Sequence, residues 1–460
     1  MKIRKALVIN IFIFIILGCI STIKEEDKKL IDEIDKSLRY DLLDAWYPVS
    51  MDTVYGGFLS DFTYNWQPKG HQNKMLVTQT RHIWTASEAA MFYDEDNYRK
   101  IAEHGFLFLK NKMWDVSFGG FYMQLNRRGD YSDSNFRNYK IAYGNAFAIY
   151  ALASYYKMSG DTSALNLARK TFMWLNRYSY DPEYKGYFNI LRRDGSRPSA
   201  GMGSNSGEIT SYLSATNWKD QNTSIHLLEA FTELYKVWPD SLLRERLHEI
   251  FVLIRDTIVN KKGFLALFFE RDWTPVSFRD SSDAVREANY YYDHISFGHD
   301  VETAYLLLEA SYVLGIESDT QTLTCARNLV DHALANGWDN DRGGFYDAGY
   351  YFNGSGHISI INNAKIWWVQ AEGLNALLLM ARLFPEEEKY YNVFMKQWEY
   401  INKYLIDHKH GGWYEEGLDN SPLKLKARKA YDWKINYHNA RALMNCIKML
   451  KSELELLNEL

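Results

Sequence analysis

Apolar residues recur at helical spacing along most of the chain, in stretches broken by short polar hinges such as Ser159-Gly160-Asp161. The periodicity predicts helices over 27–45, 75–93, 97–114, 139–159, 161–178, 219–236, 241–258, 293–315, 317–336, 365–384, 386–406 and 433–455. A glycine-aromatic phrase punctuates them: Gly56-Gly57-Phe58, Gly119-Gly120-Phe121, Gly186-Tyr187-Phe188, Gly263-Phe264, Gly343-Gly344-Phe345 and Gly411-Gly412-Trp413. Counted from 57, 120, 186, 263, 344 and 412, the intervals are 63, 66, 77, 81 and 68 residues, too long for common solenoid repeats and right for a two-helix module. Each phrase is a turn followed by residues that favour extended chain, as in Gly120-Phe121-Tyr122-Met123, so short hairpins or turns are expected there. One helix precedes each phrase and one follows it. The simplest closed arrangement is all-α, an (α/α)6 barrel of twelve helices with short β-hairpins at one end.

No Pro/Ser-rich linker interrupts the rhythm, so residues 28–460 read as one barrel domain. The longer intervals arise from loops at about 191–218, 271–292 and 347–364, rich in Gly, Ser, Asn and Asp. Each falls between a phrase and the next helix, which places all three at the same barrel mouth.

The first residues carry a different pattern. Met1-Lys2-Ile3-Arg4-Lys5 is a cationic start, and Ala6 to Leu17 is an apolar run too short for a spanning helix of ~20 residues. Ile16-Leu17-Gly18-Cys19 resembles a bacterial lipobox, with Ile16 where Leu is more usual. The resemblance implies a lipoprotein signal over 1–18, lipidation at Cys19, a tether over 19–27 and an exported, membrane-anchored protein on the periplasmic side or cell surface. The other two cysteines, Cys325 and Cys446, lie in apolar helical stretches and read as core residues rather than a disulfide framework.

Composition narrows the class of function. With 47% hydrophobic and 24% charged residues, the chain can bury a large core. The 53 Lys plus Arg against 58 Asp plus Glu leave a net charge of −5 with no long basic run, which argues against a nucleic-acid partner. The 34 Tyr, 24 Phe and 14 Trp fit either core packing or an aromatic-walled pocket for sugar.

Polar and aromatic residues concentrate where the second helix of each module opens. They are Arg81 and Trp84; Lys140, Tyr143 and Asn145; Asn222, His226 and Glu229; His294, His299 and Glu302; Lys365, Trp367, Trp368, Gln370 and Glu372; and Trp433, Asn436, His438 and Arg441. Helices starting at one rim of a ring aim their first turns at a common cavity, where their unpaired N–H groups add positive potential. Taken singly, a histidine in an apolar helix is more often a core residue than a functional one, but His226, His299 and His438 recur at matching points of different modules. His299 and Glu302, three apart, share a helix face, and His226 and Glu229 repeat the spacing, so a carboxylate is expected to hold each imidazole. There is no His-Glu-x-x-His and no clustered Cys, and no metal site is expected.

These segments together resemble the N-acylglucosamine 2-epimerase superfamily, and most closely its cellobiose 2-epimerase branch, over roughly residues 28–455. The resemblance rests on Arg81-His82-Ile83-Trp84-Thr85, Tyr143-Gly144-Asn145-Ala146-Phe147, Asn222 through Ala230, and Lys365 through Glu372. It rests above all on two histidine segments, Ser296 through Glu302 and Trp433 through Ala442. Ser224 and Tyr305 stand where some members carry His and Trp, departures that bear on sugar preference rather than on the reaction.

What the resemblance implies is reversible C2 epimerisation of the reducing-end sugar of β-1,4-linked disaccharides (cellobiose to glucosyl-mannose, or mannobiose to mannosyl-glucose) through an enediolate. His299 and His438 would act as the two bases. Glu302 would tune His299, while Arg81 and His226 would stabilise charge on the sugar oxygens. Trp367, Trp368 and Trp433 would stack on sugar rings, and Tyr143, Asn222 and Glu372 would complete the substrate site. No cofactor is implied, and the partner expected of this monomer is an oligosaccharide with a free reducing end. Aldose–ketose isomerisation shares the enediolate and is the nearest alternative. A glycoside hydrolase would need two flanking carboxylates, and a non-catalytic glycan-binding lipoprotein would leave the histidines without a task.

Overall fold

The structure, a computed structural model, describes residues 25–131, 136, 138–198, 217–352 and 356–458. The leader, Cys19 and most of the tether lie outside these residues, as does most of the expected loop at 191–218.

Twelve of the helices form two concentric rings. The inner ring is α2 (Leu76–Tyr93), α4 (Ala142–Ser159), α6 (Gln221–Val237), α9 (Phe297–Leu314), α11 (Trp367–Leu383) and α13 (Tyr437–Leu450). The outer ring is α1 (Glu25–Lys36), α3 (Asp96–Phe108), α5 (Thr162–Tyr178), α7 (Ser241–Leu253), α10 (Thr320–Gly337) and α12 (Glu388–Tyr404). Helices α1, α3 and α7 run on into π-helical turns, Ser37–Leu43, Leu109–Met113 and Ile254–Ile258. Each inner helix packs on the next, and α13 returns to α2 to close the ring. Inner helices are buried on nearly every side, whereas outer helices bury one stripe, so the expected (α/α)6 barrel forms with its core between the rings.

Local chemistry decides where each helix begins. Asp161, Asp240 and Asp319 cap the outer helices α5, α7 and α10 by accepting from their first-turn N–H groups, and Gly160, in the left-handed region at φ 72°, ends α4. By contrast Met75, Ile141, Ser296, Ile366 and Asn436 make no side-chain cap. Five of the six inner helices therefore present first-turn N–H groups not taken by their own N-cap side chains to one end of the barrel.

The phrases cluster at that end, as expected, and each closes a local turn. At Gly120, φ is 68° and a Cβ would stand 2.9 Å from the Trp174 ring, so no other residue fits. The extended residues beyond the phrases do something the sequence reading did not anticipate: they pair with the neighbouring module. Strand β1 (Lys74–Met75) pairs with β2 (Gln124–Leu125), β3 (Tyr139–Ile141) with β4 (Ile190–Arg192), and β5 (Lys219–Asp220) with β6 (Phe268–Phe269). Strand β7 (Ile295–Ser296) then pairs with β8 (Ala348–Tyr351), itself paired with β9 (Ile358–Asn362). Bridges Ile366 to Glu416 and Phe62 to Ala430 continue the ring round to its start.

Two expected loops are ordered elements. The segment at 271–292 holds a further helix, α8 (Asp283–Asp293), so the described residues contain thirteen α-helices of more than ten residues rather than twelve. The α9 helix consequently starts at Phe297 and not at 293, and His294 caps α8 instead of opening the inner helix. The segment at 347–364 contains the β8–β9 pair.

Candidate active site

Two kinds of polar residue at the inner-helix starts serve the barrel rim rather than the cavity. Lys74, Lys140, Lys219 and Lys365 are fully buried and ion-paired with Asp52, Asp115, Asp181 and Asp339, the acids that open the turn phrases. Arg127, Arg193 and Arg271 add a second cation to the first three carboxylates. Burial alone would raise Asp52 and Asp115, but these hydrogen-bonded cations outweigh it and hold both carboxyls at about 2. Gln79, Asn145 and Gln370 accept from the backbone N–H of Phe58, Phe121 and Phe345, tying each phrase to its helix. Lys140, Asn145, Lys365 and Gln370 are thus structural, although the sequence reading places them among the cavity residues.

The remaining polar residues converge. Arg81, Tyr143, Asn222, His226, His299, Glu302, Trp367, Trp368, Trp433 and His438 line one cavity of about 140 Å³ at the inner-helix starts. Arg81 donates to the Tyr143 hydroxyl at 2.9 Å and stacks over Phe147 at 4.4 Å, which aims its guanidinium across the cavity. The Trp368 ring lies against both His299 (4.8 Å between centroids) and His438 (5.7 Å), so imidazoles from α9 and α13 share one indole. A second chamber of about 200 Å³ adjoins it, sharing Tyr143, Asn222, His299 and Trp433, with Trp218, Phe268 and Tyr291 as aromatic walls. Tyr291 comes from α8, the helix not foreseen.

Behind the cavity lies a buried ionic network centred on Arg441. Its guanidinium donates to Glu302 at 2.6 Å, to Glu372 at 2.7 Å, and to Glu229. Tyr437 also donates to Glu229. Two of these carboxylates hold histidines: Glu229 lies 2.9 Å from Nδ1 of His226, and Glu372 lies 2.7 Å from Nδ1 of His438. In both rings Nε2 is left as the nitrogen that can reach a ligand. Burial pushes Glu372 up and His438 down, favouring the uncharged form of each. Glu229, despite burial, is held at about 2 by Arg441 and His226.

The expected bond between Glu302 and His299 does not form. Glu302 is drawn to Arg441 and lies 3.8 Å from His438, leaving Nδ1 of His299 without a hydrogen-bond partner. His299 is half-buried, its open part facing the cavity, and desolvation followed by repulsion from His226, His294 and His438 brings it down to about 3. It is therefore a neutral base at pH 7. The sequence pattern places the keystone Arg441 among the helix-start residues without assigning it a role, although its spacing of four from Tyr437 and three from His438 puts all three on one helical face. Among the described residues, Glu302, Glu372 and His438 bring donor atoms within 4.8 Å, close enough for a divalent ion. Arg441 already supplies positive charge to both carboxylates there.

Comparison with known proteins agrees with this geometry. The family model for N-acylglucosamine 2-epimerase (GlcNAc 2-epimerase) matches residues 56–442. The chain is 29% identical to a cellobiose 2-epimerase of Bacteroides fragilis, over 92% of this chain and 99% of that protein. It is 30% identical to one of Ruminococcus albus, over 91% and 98%. Among solved structures, cellobiose 2-epimerase from Bacillus thermoamylovorans B4167 superposes with a TM-score of 0.78 at 25% identity, covering 92% of this chain and 99% of the other.

Proposed function

This chain belongs to the N-acylglucosamine 2-epimerase family and is a carbohydrate epimerase or isomerase of the cellobiose 2-epimerase type, and from that premise we propose that it epimerises C2 of the reducing-end sugar of β-1,4-linked disaccharides. The observation that carries the reading is the convergence of two imidazoles, from different inner helices, on one indole beside a buried guanidinium. The reducing-end sugar, opened to its aldehyde, lies in the inner cavity against Trp368. The adjoining aromatic chamber takes the second sugar.

His299, neutral and without a carboxylate, removes the C2 proton; the electron pair moves into the C1 carbonyl, giving an enediolate whose oxygens face Arg81 and His226. His438 gives the proton on its Nε2 to C2 on the opposite face while its Nδ1 takes up the proton of Glu372, whose neutral form burial favours. The C2–H bond broken on one side is thereby replaced on the other, with His299 left protonated and the His438–Glu372 pair a proton short. The reverse reaction runs from that state with the roles exchanged. One feature favours a second reading: of His299 and His438 only His438 has a carboxylate partner, and a single supported base would suffice for aldose–ketose isomerisation.

Incubation of the purified protein with cellobiose and mannobiose in D₂O, followed by sugar analysis, tests both. Epimerisation predicts deuterium at C2 of the reducing-end epimer. A ketose product supports isomerisation instead, and monosaccharides or unaltered sugar overturn both. The lipobox-like start supports the further proposal that the protein is exported and anchored through Cys19.

A further inference from the structure

Arg441 has two sides. One faces the carboxylates of the active site; the other borders a separate cavity of about 300 Å³ at the closed end of the barrel, lined by the later turns of five inner helices. Three buried polar atoms on its lining residues have no hydrogen-bond partner: Nε of Arg441, Nδ2 of Asn445 and Oε1 of Glu233. These residues are 2%, 6% and 6% exposed. Unmatched groups in such a place require a partner. Two of the atoms donate and one accepts, so the partner must do both. Lining acids and bases number four each (Glu88, Glu233, Glu309 and Glu453 against Lys157, Lys236, Arg441 and Lys448), which disfavours a ligand of net charge. Trp84 and Tyr305 supply apolar wall.

A hydroxyl group combines donor and acceptor on one uncharged atom. We propose that the closed-end cavity is a second site, which binds a neutral polyhydroxylated molecule of monosaccharide size. Such a ligand's oxygens accept from Arg441 and Asn445 while a hydroxyl donates to Glu233. Because the other nitrogens of Arg441 fix Glu229 and Glu372, and through them His226 and His438, occupancy is felt in the active site as a change in turnover. The binding part does not rest on the epimerase reading; the effect on turnover does.

Methyl α-D-glucopyranoside, which cannot open its ring and so is not turned over, serves as the probe. Titration calorimetry of the full chain should show binding that Asn445→Leu removes, with basal turnover in that variant within about twofold of the parent. At saturating disaccharide the probe should shift kcat about fivefold or more in the parent and not in the variant. Glu233→Gln, which keeps the side-chain shape, should weaken the same event and stands in should Asn445→Leu fail to fold. Binding unchanged in both variants, inhibition that is purely competitive, or soaked crystals with only water in the cavity overturn the proposal. A protein with no epimerase activity but with Asn445-dependent binding keeps the site and refutes the reaction.

Discussion

At the scale of single residues, His299 and His438 differ in what stands behind each ring. His438 has Glu372 at 2.7 Å and Glu302 at 3.8 Å, whereas His299 has no polar partner at Nδ1. If each serves one face of C2, His299→Ala and His438→Ala should each lose about 100-fold to 10,000-fold in kcat/KM, and full activity in either would refute the two-base reading. Glu302→Gln should be far milder, since the amide still accepts from Arg441 and only the charge near His438 is lost. The pH profile carries an independent signature. A base must be neutral to act, so activity falls as pH drops through its pKa. With His299 at about 3, kcat/KM should show no histidine-type decline near the ordinary value of about 6.5 on going from pH 7.5 to about pH 5. A half-maximal point near pH 6.5 on that limb would mean that the base is another group or is solvated.

At the scale of elements, the first, second and fifth modules repeat one unit: a turn acid, a buried lysine at the next inner-helix start, and an amide that ties the phrase down. The fourth module shows the logic by its exception. There Asn260 occupies the acid's place, Ile295 stands at the strand position held by Lys74, Lys140 and Lys219, and Asp300 rather than an amide accepts from the phrase backbone. Both charges are missing together, as they must be where either alone would be buried unpaired. Removing one half elsewhere should be costly: Asp115→Ala leaves Lys140 and Arg193 without their carboxylate and should destabilise by about 3–5 kcal/mol in chemical denaturation, followed by circular dichroism. The same acids set an acid limit. Their folded pKa values of about 2 lie below the ordinary 3.8, so the stability they contribute is complete above about pH 4 and is lost as pH falls towards 2. Helicity in Asp115→Ala should accordingly change less across that window than in the parent.

At the scale of the whole molecule, the direction of the helices separates the two ends of the barrel. Helix α1 with its continuation to Trp46 leads to the first phrase at the mouth, so Glu25 lies at the closed end, roughly 30 Å away by helical rise. A lipid on Cys19 would therefore hold the closed end towards the membrane and leave the mouth open to soluble sugar. No helix of the described residues is long and apolar enough to cross a membrane. Cys19→Ala should abolish labelling by palmitate and release the protein from the membrane fraction; unchanged labelling would exclude that cysteine as the anchor point.

The order of residues by itself determined the ring and the identity of the groups in it. Helical periodicity, six glycine-aromatic phrases and the polar helix starts are local properties, set by backbone preference and burial within one module. Hence the barrel, the mouth and the cavity histidines were legible without coordinates. Tertiary structure alone decided which carboxylate holds which histidine. The i,i+3 spacing made His226–Glu229 correctly, yet the same spacing failed for His299–Glu302, because Arg441, 139 residues away in sequence, competes for Glu302. Bond by bond, a buried guanidinium offers a carboxylate more than a neutral imidazole does. Helix α8 was hidden for a related reason. Its stretch, Asp283 to Asp293, is polar with three consecutive tyrosines, and it reads as loop until Phe268, Tyr350 and Phe352 supply the aromatic surface on which it packs.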